Sequence, residues 1–277
     1  MAKNEPNDFQ FLHGTRLRGV TALNATMSDF SYGKHAHDDL ALGVTLGGVQ
    51  EFSCKGIRFQ STPGGIMLFN PGDVHNGNPG KDTVLRYTML YIDPGEFLPL
   101  AGCVVGNVAS ARRFRETHFH DAALKSLILG MSREIGLGNR SRIEFEYRLY
   151  AIAKRLAQRD GVFQRASWTT DKDTLLLRVR DYINDNIAED ISIDDLSGVA
   201  NMSKFHFIRL FRNQFGLTPH RYILNQRVNR ARIALEKGTA PTDVAQEFVF
   251  FDVSHMNRHF KRIYGLTPKQ YQIQFAK

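Results

Sequence analysis

The first 110 residues alternate short apolar runs with glycine, proline and asparagine, a pattern typical of β-strands joined by turns. Residues 40–46 form one such run, which ends at Gly47 and Gly48, and residues 84–92 form the longest. Residues 70–73, Asn-Pro-Gly-Asp, have the composition of a tight turn. Several short strands at this spacing predict a β-sandwich or barrel in the first half of the chain.

Between residues 121 and 160 the apolar positions change to helical spacing. One stripe consists of Leu124, Leu127, Ile128, Met131 and Ile135. A second stripe is suggested by Ile143, Tyr147, Tyr150 and Leu156. Glycines within residues 136–139 separate the two stripes, so the segment predicts an αα-hairpin. Such stripes can pack on the β domain or form a dimer surface, and different faces can do both.

Residues 161–170 are polar and lack periodicity, and we place a linker there. A helix is predicted from residue 175 to about residue 187. Its inward face consists of Leu176, Val179, Tyr182 and Ile183. At 277 residues the chain is long enough for two domains. We expect a β-rich domain that ends in the αα-hairpin over residues 1–165 and an all-helical domain over residues 172–277, which makes the fold α+β.

The helical domain contains a repeated sequence. Residues 206–222 align without a gap to residues 255–271, and eight of the 17 positions are identical. Each copy predicts a basic amphipathic helix, a glycine that ends it and a Thr-Pro pair that begins the next helix. A duplicated basic helix is what a protein needs to contact two neighbouring segments of DNA.

Helix start and stop signals divide this domain into two helix-turn-helix units. Ser192, followed three residues later by Asp195, indicates a capped start, and Leu196, Val199 and Ala200 would face inward. A second helix is predicted over residues 204–215 and a long joining helix over 219–237, with Arg227 among its surface arginines. The repeat begins near Thr239 and predicts a second recognition helix from about residue 254 to 264.

The net charge of +8 is concentrated in this region. Residues 204–277 contain 13 Lys or Arg and 4 Asp or Glu, a balance of +9, so the other residues sum to −1. Basic residues confined to one end favour a polyanionic partner for that end over an ordinary solvated surface, because they lie in the repeated helices and between them.

Helical spacing leaves one outer face on each recognition helix. The first face contains Lys204, Phe205, Ile208, Arg209 and Arg212. The polar and basic candidates of the second are Ser254, His255, Asn257, Arg258, Lys261 and Arg262. Arg209 and Arg258 occupy equivalent repeat positions, so we predict that they contact bases and that most other cations contact phosphates.

These motifs resemble the AraC/XylS family of bacterial transcription regulators over about residues 172–277. The match rests on residues 195–200, 203–211, 215–219, 243–245, Phe250, 254–261 and 264–268. The family usually has glycine where this chain has Val249. The resemblance implies that Phe205, Ile208 and Arg209, and likewise Val253, Ser254 and Arg258, face DNA. By the same analogy it implies activation of transcription with RNA polymerase, whereas the homodimer that we expect rests on the αα-hairpin.

The first half resembles the cupin-like sensor of the same family through residues 35–39, 47–48 and 70–75. This resemblance implies a β-barrel that binds a small-molecule effector. Candidate contacts are His37 and His75, beside Tyr32, Arg58, Asn76 or Tyr87. In the alternative without a ligand role, the histidines only form hydrogen bonds with loops at the mouth of the barrel.

An alternative function is a metal-dependent cupin enzyme fused to a DNA-binding domain. His35, His37 and His75 could supply three imidazoles, but cupin enzymes usually add a carboxylate, and residues 40–43 contain none. No other catalytic motif stands out. The sequence therefore predicts a regulator rather than an enzyme, with no metal and no cofactor.

The remaining composition favours the bacterial cytoplasm. Cys54 and Cys103 match no metal or redox spacing and are expected to be reduced thiols. The polar N-terminus has no secretory signal pattern, and no apolar run approaches the roughly 20 residues of a membrane helix. We therefore expect no membrane partner.

Overall fold

The computed structural model describes residues 6–14, 17–105, 112–138, 142–160, 164–165 and 171–276. The chain divides into two compact units, residues 1–166 and residues 167–277. The linker predicted over residues 161–170 lies outside the described residues, apart from residues 164–165. None of the described helices is both long enough and apolar enough to cross a bilayer.

The first unit contains two antiparallel sheets and a two-stranded ribbon. The strands are β1 (Asp8–Gly14), β2 (Leu17–Met27), β3 (Tyr32–His35), β4 (Leu40–Gly47), β5 (Gln50–Cys54), β6 (Ile57–Ser61), β7 (Gly65–Phe69), β8 (His75–Pro79), β9 (Leu85–Ile92), β10 (Arg112–Arg113), β11 (His118–His120) and β12 (Gln164–Arg165). The large sheet has the order β1-β2-β9-β4-β7-β11, the small sheet β3-β8-β5-β6, and β10 pairs with β12. The predicted β-rich domain is confirmed.

The large sheet is buried on both faces, which explains the continuous apolar runs of its central strands. On one face Leu42, Ile66 and Leu90 belong to a core shared with helices. The other face meets the small sheet, where the Phe69 ring stacks on His75 with centroids 3.9 Å apart. Successive residues along each central strand therefore point alternately into two separate cores.

Three helices cover the outer face of the large sheet: α1 (Pro94–Val105), α2 (Ala122–Leu137) and α3 (Arg142–Asp160). Helix α2 begins where the Asp121 side chain accepts a hydrogen bond from the Leu124 amide, and it ends at Gly138 with φ of 63°. The predicted αα-hairpin is thus present. Helix α1 was not predicted, because the β pattern was extended to residue 110 and Pro99 lies inside the helix.

Of the second stripe, for which packing on the β domain and a dimer surface were both left open, Leu156 is buried and the other three residues are exposed. The exposed fractions of Ile143, Tyr147 and Tyr150 are 73%, 72% and 38%. The buried face instead consists of Phe145, Leu149, Ile152, Ala153 and Leu156. Helix α3 carries apolar side chains on two faces, and only the second meets the sheet core. The first is left as an exposed apolar surface.

The second unit is entirely helical among its described residues. Its helices are α4 (Asp171–Asp185), α5 (Ile193–Val199), α6 (Lys204–Phe215), α7 (Pro219–Glu236), α8 (Pro241–Glu247), α9 (Val253–Tyr264) and α10 (Pro268–Phe275). Helices α5 and α6 form one helix-turn-helix unit, α8 and α9 form the other, and α7 joins them. The predicted α+β class is therefore confirmed.

Local signals set most of these helix ends. Ser192 and Asp195 form a reciprocal capping box at the start of α5. Gly216 and Gly265 end α6 and α9 with φ of 75° and 77°. The prediction for Val199 is wrong, since its side chain is exposed whereas Leu196 and Ala200 are fully buried.

The two turns between paired helices differ in length by one residue. Asn201 and Val249 have positive φ, 48° and 53°, and both follow the end of the first helix of their unit. Such a φ is strained for a β-branched residue, so Val249 adopts the conformation that glycine would adopt freely. Phe251 is the extra residue of the second turn and is 91% exposed. Asp252 then caps α9 by accepting from the His255 amide, so α9 begins at Val253, one residue before the predicted start.

Candidate DNA-binding surface and ligand cavity

Helix α6 presents a basic face with one large apolar side chain. Lys204, Phe205, Arg209 and Arg212 are exposed, whereas Phe207 and Phe211 are fully buried on the opposite side. Phe205 is 90% exposed. Ile208 is half-buried and packs against the core, so only part of its side chain is accessible.

Two of these cations already have neighbours on the surface. The Lys204 ammonium lies 2.6 Å from the Asp194 carboxylate of α5. The Arg209 guanidinium lies 3.3 Å from His206 Nδ1, one turn earlier on the same helix. An exposed ion pair contributes little to stability, so Lys204 can exchange Asp194 for another anion.

Helix α9 has an equivalent face. Ser254, Arg258 and Lys261 are exposed, and Val253 and Asn257 are half-buried. Neither α6 nor α9 contains an acidic residue. Arg209 and Arg258 are each the sixth residue of their helix. All ten predicted DNA-facing residues therefore lie outside the fully buried cores of the two units.

The cations of this surface are arginine and lysine rather than histidine. Burial, followed by the charges of His255 and Arg262, lowers the pKa of His259 to about 4. Burial and Arg258 also lower the pKa of His255. Both imidazoles are therefore neutral at neutral pH.

Arg227 of α7 joins the segment between α4 and α5 to the turn of the second helix-turn-helix unit. It was predicted to lie on the surface, but it is buried, with 8% of its area exposed. Its guanidinium donates to the carbonyls of Ile187, Glu189 and Val249, at N···O distances of 3.3, 2.7 and 3.0 Å. The first two carbonyls follow α4 and the third lies in the turn before α9. The sequence missed this role because a charged residue on an amphipathic helix is normally solvated.

The space between the two sheets of the first unit contains a small polar cavity. Its lining comprises Tyr32, His35, His37, Gln50, Phe69, His75, Asn76, Gly77, Tyr87, Met89 and Tyr91. Five of the six predicted effector contacts are therefore brought together. Arg58 is the exception, since it is exposed on β6 and does not line this cavity. Its predicted place beside the histidines is wrong.

Three buried histidines form one wall of the cavity. His35 Nδ1 lies 2.7 Å from the Gly33 carbonyl oxygen, and His75 Nδ1 lies 2.8 Å from that of Asp73. A carbonyl oxygen only accepts, so both Nδ1 atoms carry protons and both neutral rings present unprotonated Nε2 atoms. His35 Nε2 lies 3.1 Å from His37 Nε2. Burial lowers the pKa of His35 to about 3 and that of His75 to about 4, so both are uncharged at neutral pH.

Paired hydroxyls and two amides complete the polar lining. The hydroxyl oxygens of Tyr32 and Tyr87 lie 2.8 Å apart. Burial raises the pKa of both phenols, so both stay protonated. Asn76 Oδ1 already accepts from the Ser53 amide and hydroxyl, which limits its use toward a ligand. Gln50 Oε1 is buried and has no hydrogen-bond partner among the described residues.

The cavity is small in this conformation, with a free volume of about 20 Å³. This is room for roughly one water molecule, whereas sites for drug-sized ligands measure about 300–1,000 Å³. Sequence reasoning missed Gln50, Met89 and Tyr91. The period-two alternation of Tyr87, Met89 and Tyr91 on β9 was the signal that could have found two of them.

Two family models match the chain. An AraC-like ligand binding domain matches residues 19–152, and a helix-turn-helix domain matches residues 196–274. Together they include the cavity and both recognition helices.

The relatives cover most of the chain. The uncharacterized HTH-type transcriptional regulator YbfI of Bacillus subtilis is 29% identical over 227 residues, 80% of each protein. The HTH-type transcriptional activator RhaS of Escherichia coli is 22% identical over 256 residues, 90% of each protein. Among solved structures, ToxT from Vibrio cholerae has a TM-score of 0.62 at 12% identity, covering 94% of this chain and 99% of ToxT. ToxT therefore shares the fold.

Proposed function

Because this chain belongs to the AraC family of DNA-binding transcription regulators, we propose that α6 and α9 recognise a specific promoter sequence under the control of a small-molecule effector in the first unit. The observation that carries the proposal is the repeated basic face, with arginine at the same position of two recognition helices. Two such helices in one unit suit two major-groove segments roughly one helical turn apart.

The side chains of the two faces divide into three kinds of contact. Arg209 and Arg258 bind guanine edges, because a guanidinium can donate twice to O6 and N7. Phe205, Ile208 and Val253 are apolar and suit thymine methyl groups. The remaining polar and cationic side chains contact mainly phosphates and so position the helices on DNA; they are Lys204, Arg212, Ser254, Asn257 and Lys261.

We propose that the protein activates transcription with RNA polymerase in the bacterial cytoplasm and has no catalytic activity of its own. Its relative RhaS is named an activator. ToxT has also been crystallised with an unsaturated fatty acid, a precedent for a small molecule bound to a protein of this fold. The effector of the present chain would contact Tyr32, His37, His75, Asn76 and Tyr87. An organic effector needs these walls to move apart, because the present cavity holds little more than one water molecule.

We predict that one member of a panel of sugars, amino acids, aromatic acids and fatty acids stabilises the full-length protein in chelator-containing buffer. At 100 times its dissociation constant a ligand stabilises the folded state by about 2.7 kcal/mol, which raises the melting temperature by several degrees. Differential scanning fluorimetry measures this shift.

Two variants test whether the effector occupies this cavity. Tyr32→Phe removes one hydroxyl of the lining and should reduce the shift, whereas Arg58→Ala, outside the cavity, should leave it unchanged. Absence of a shift from every compound would contradict control by these classes of effector.

We also propose that the exposed apolar face of α3 forms a homodimer interface. Ile143, Tyr147 and Tyr150 lie on this face, and Leu137 at the end of α2 is 59% exposed. Several large apolar side chains exposed on one helix face are typical of an interaction site. A second copy of the chain would bury it and exclude water from both tyrosine rings.

Replacing Ile143 and Tyr147 together by aspartate should raise the dimer dissociation constant by about 100-fold, because like charges then oppose each other across an apolar interface. Sedimentation equilibrium of the full-length protein measures this constant. Ser126→Asp, at an exposed position near the start of α2, is the matched control and should dimerise normally. A wild-type protein that stays monomeric at all concentrations would refute the interface.

A further inference from the structure

We propose that His35, His37 and His75 bind one divalent first-row transition-metal ion, which leaves a coordination position for an oxygen-donor ligand in the same cavity. One ligand nitrogen from each ring lies within 4.8 Å of the other two. The three rings come from β3, the segment after it and the start of β8, so strand pairing fixes their approach. Three imidazoles suit zinc, iron, nickel or copper.

The nitrogen spacing is close to that of a metal-bound set. A tetrahedral ion with metal–nitrogen bonds of about 2.05 Å holds its nitrogens about 3.3 Å apart. The Nε2 atoms of His35 and His37 are already 3.1 Å apart. No two of the three ligand nitrogens are more than 4.8 Å apart. If the His75 nitrogen is the distant one, it needs to move by only about 1.5 Å toward the other two to reach the spacing of a metal-bound set.

The ring orientations of His35 and His75 are those found in metal ligands. Metal-ligating histidines usually donate their other N–H to a carbonyl or carboxylate, which fixes the tautomer and the ring plane. His35 and His75 do this through Gly33 and Asp73. The Nδ1 atom of each ring is therefore used by the backbone, which leaves Nε2 as the nitrogen that can ligate an ion.

The sequence argument against a metal depended on the missing carboxylate. Three protein ligands and an open position are sufficient for a zinc site, and three histidines can supply them. The same cavity is also lined by the buried Gln50 Oε1, which has no partner among the described residues. It can accept a hydrogen bond from a metal-bound water or from a hydroxyl of an incoming ligand.

The size of the cavity supports an ion rather than a large organic molecule. A free volume of about 20 Å³ is close to the size of an ion or a single water molecule and far below that of an organic ligand. Metal binding itself does not depend on the function proposed above. Only its regulatory consequence, that the ion is itself an effector, rests on that function.

The test uses the full-length protein, stripped with a chelator and titrated with Zn²⁺ by calorimetry and with Co²⁺ by visible absorption. We expect one equivalent per chain and a cobalt spectrum of nitrogen and oxygen ligands without a thiolate band. His37→Ala and His75→Ala should each weaken binding by about 100-fold or more, since even a lost outer hydrogen bond can cost 10–100-fold. His120→Ala, exposed on β11 in the same unit, is the control and should bind as wild type does.

Because a buried-histidine variant can fail to fold, X-ray absorption of the zinc-loaded wild type provides a second test and should show three imidazoles. Three results would each overturn the proposal. They are uptake of less than one equivalent of metal, a metal coordinated by fewer than three imidazoles, and a folded His75→Ala variant with wild-type affinity. DNA binding and the organic panel are measured in chelator, so the regulator proposal succeeds or fails separately.

Discussion

Replacing Arg209 or Arg258 by alanine is expected to weaken binding to the preferred DNA site by about 1–3 kcal/mol each, roughly 5- to 150-fold, and to relax the choice of base at one position. The two arginines are exposed at the sixth position of α6 and α9, so each should affect a different half of the site. Selection of sites from random DNA, followed by titration of single-base variants, measures both effects.

Two other arginines provide the matched controls for this prediction. Arg212→Ala should reduce affinity for all sequences alike and lower the salt dependence, as expected of a phosphate contact. Arg230 is exposed on α7, outside both recognition helices, so Arg230→Ala should have little effect on base preference. Unchanged base preferences in both the Arg209 and the Arg258 variant would refute base recognition by these side chains.

Arg227→Ala is expected to lower the free energy of unfolding of the second unit by about 3 kcal/mol. The change removes a buried cationic donor from three carbonyls and leaves them without their partner, and hydrogen bonds to charged groups contribute about 1.5–3 kcal/mol. One of these carbonyls belongs to Val249, whose positive φ costs about 1–3 kcal/mol and persists only while its surroundings hold it. Differential scanning calorimetry of the full-length chain measures the loss.

Arg227→Lys separates the role of the charge from that of the three donors. An ammonium keeps the positive charge but lacks the planar fork, so this variant should recover only part of the stability. Footprints of both variants should lose the α9 half of the site first, because Arg227 holds the turn before α9. Thermal unfolding of Arg227→Ala at the wild-type temperature would contradict the assigned role.

The helical unit was predictable because its signals are local. The capping box of Ser192 and Asp195, the left-handed Gly216 and Gly265, and the register of the repeat all depend on residues a few positions apart. Helix α3 shows where local patterns fail. It carries apolar side chains on two faces, and only the packing of the sheet determines that Phe145 and Leu149 are buried while Ile143 and Tyr147 are not.

The cavity was only partly predictable because it depends on strand register. Gln50 reaches it from β5 and His75 from β8, two strands that pair in the small sheet, where Gln50 lies opposite Pro79 and His75 opposite Cys54. Arg58 lies opposite Ser53 on the next strand, and nothing in its own sequence neighbourhood indicates that it points to solvent. Arg227 was predicted to be exposed but is buried. A charged side chain is seldom buried unless several hydrogen-bond acceptors surround it, and the sequence does not show where those acceptors lie.

Strand β9 separates the cavity of the first unit from the hydrophobic core beneath the helices, so its two faces should tolerate mutation differently. Tyr87, Met89 and Tyr91 line the cavity, whereas Leu90 and Ile92 belong to the core under the helical hairpin. Thr88 also faces the helices. Its hydroxyl donates a hydrogen bond to Asn24 Oδ1, which accepts a second hydrogen bond from the hydroxyl of Ser132 on α2. Phenotypes from a mutational scan over residues 87–92 should therefore alternate, with odd positions changing the cavity and even positions changing how the helices pack on the sheet.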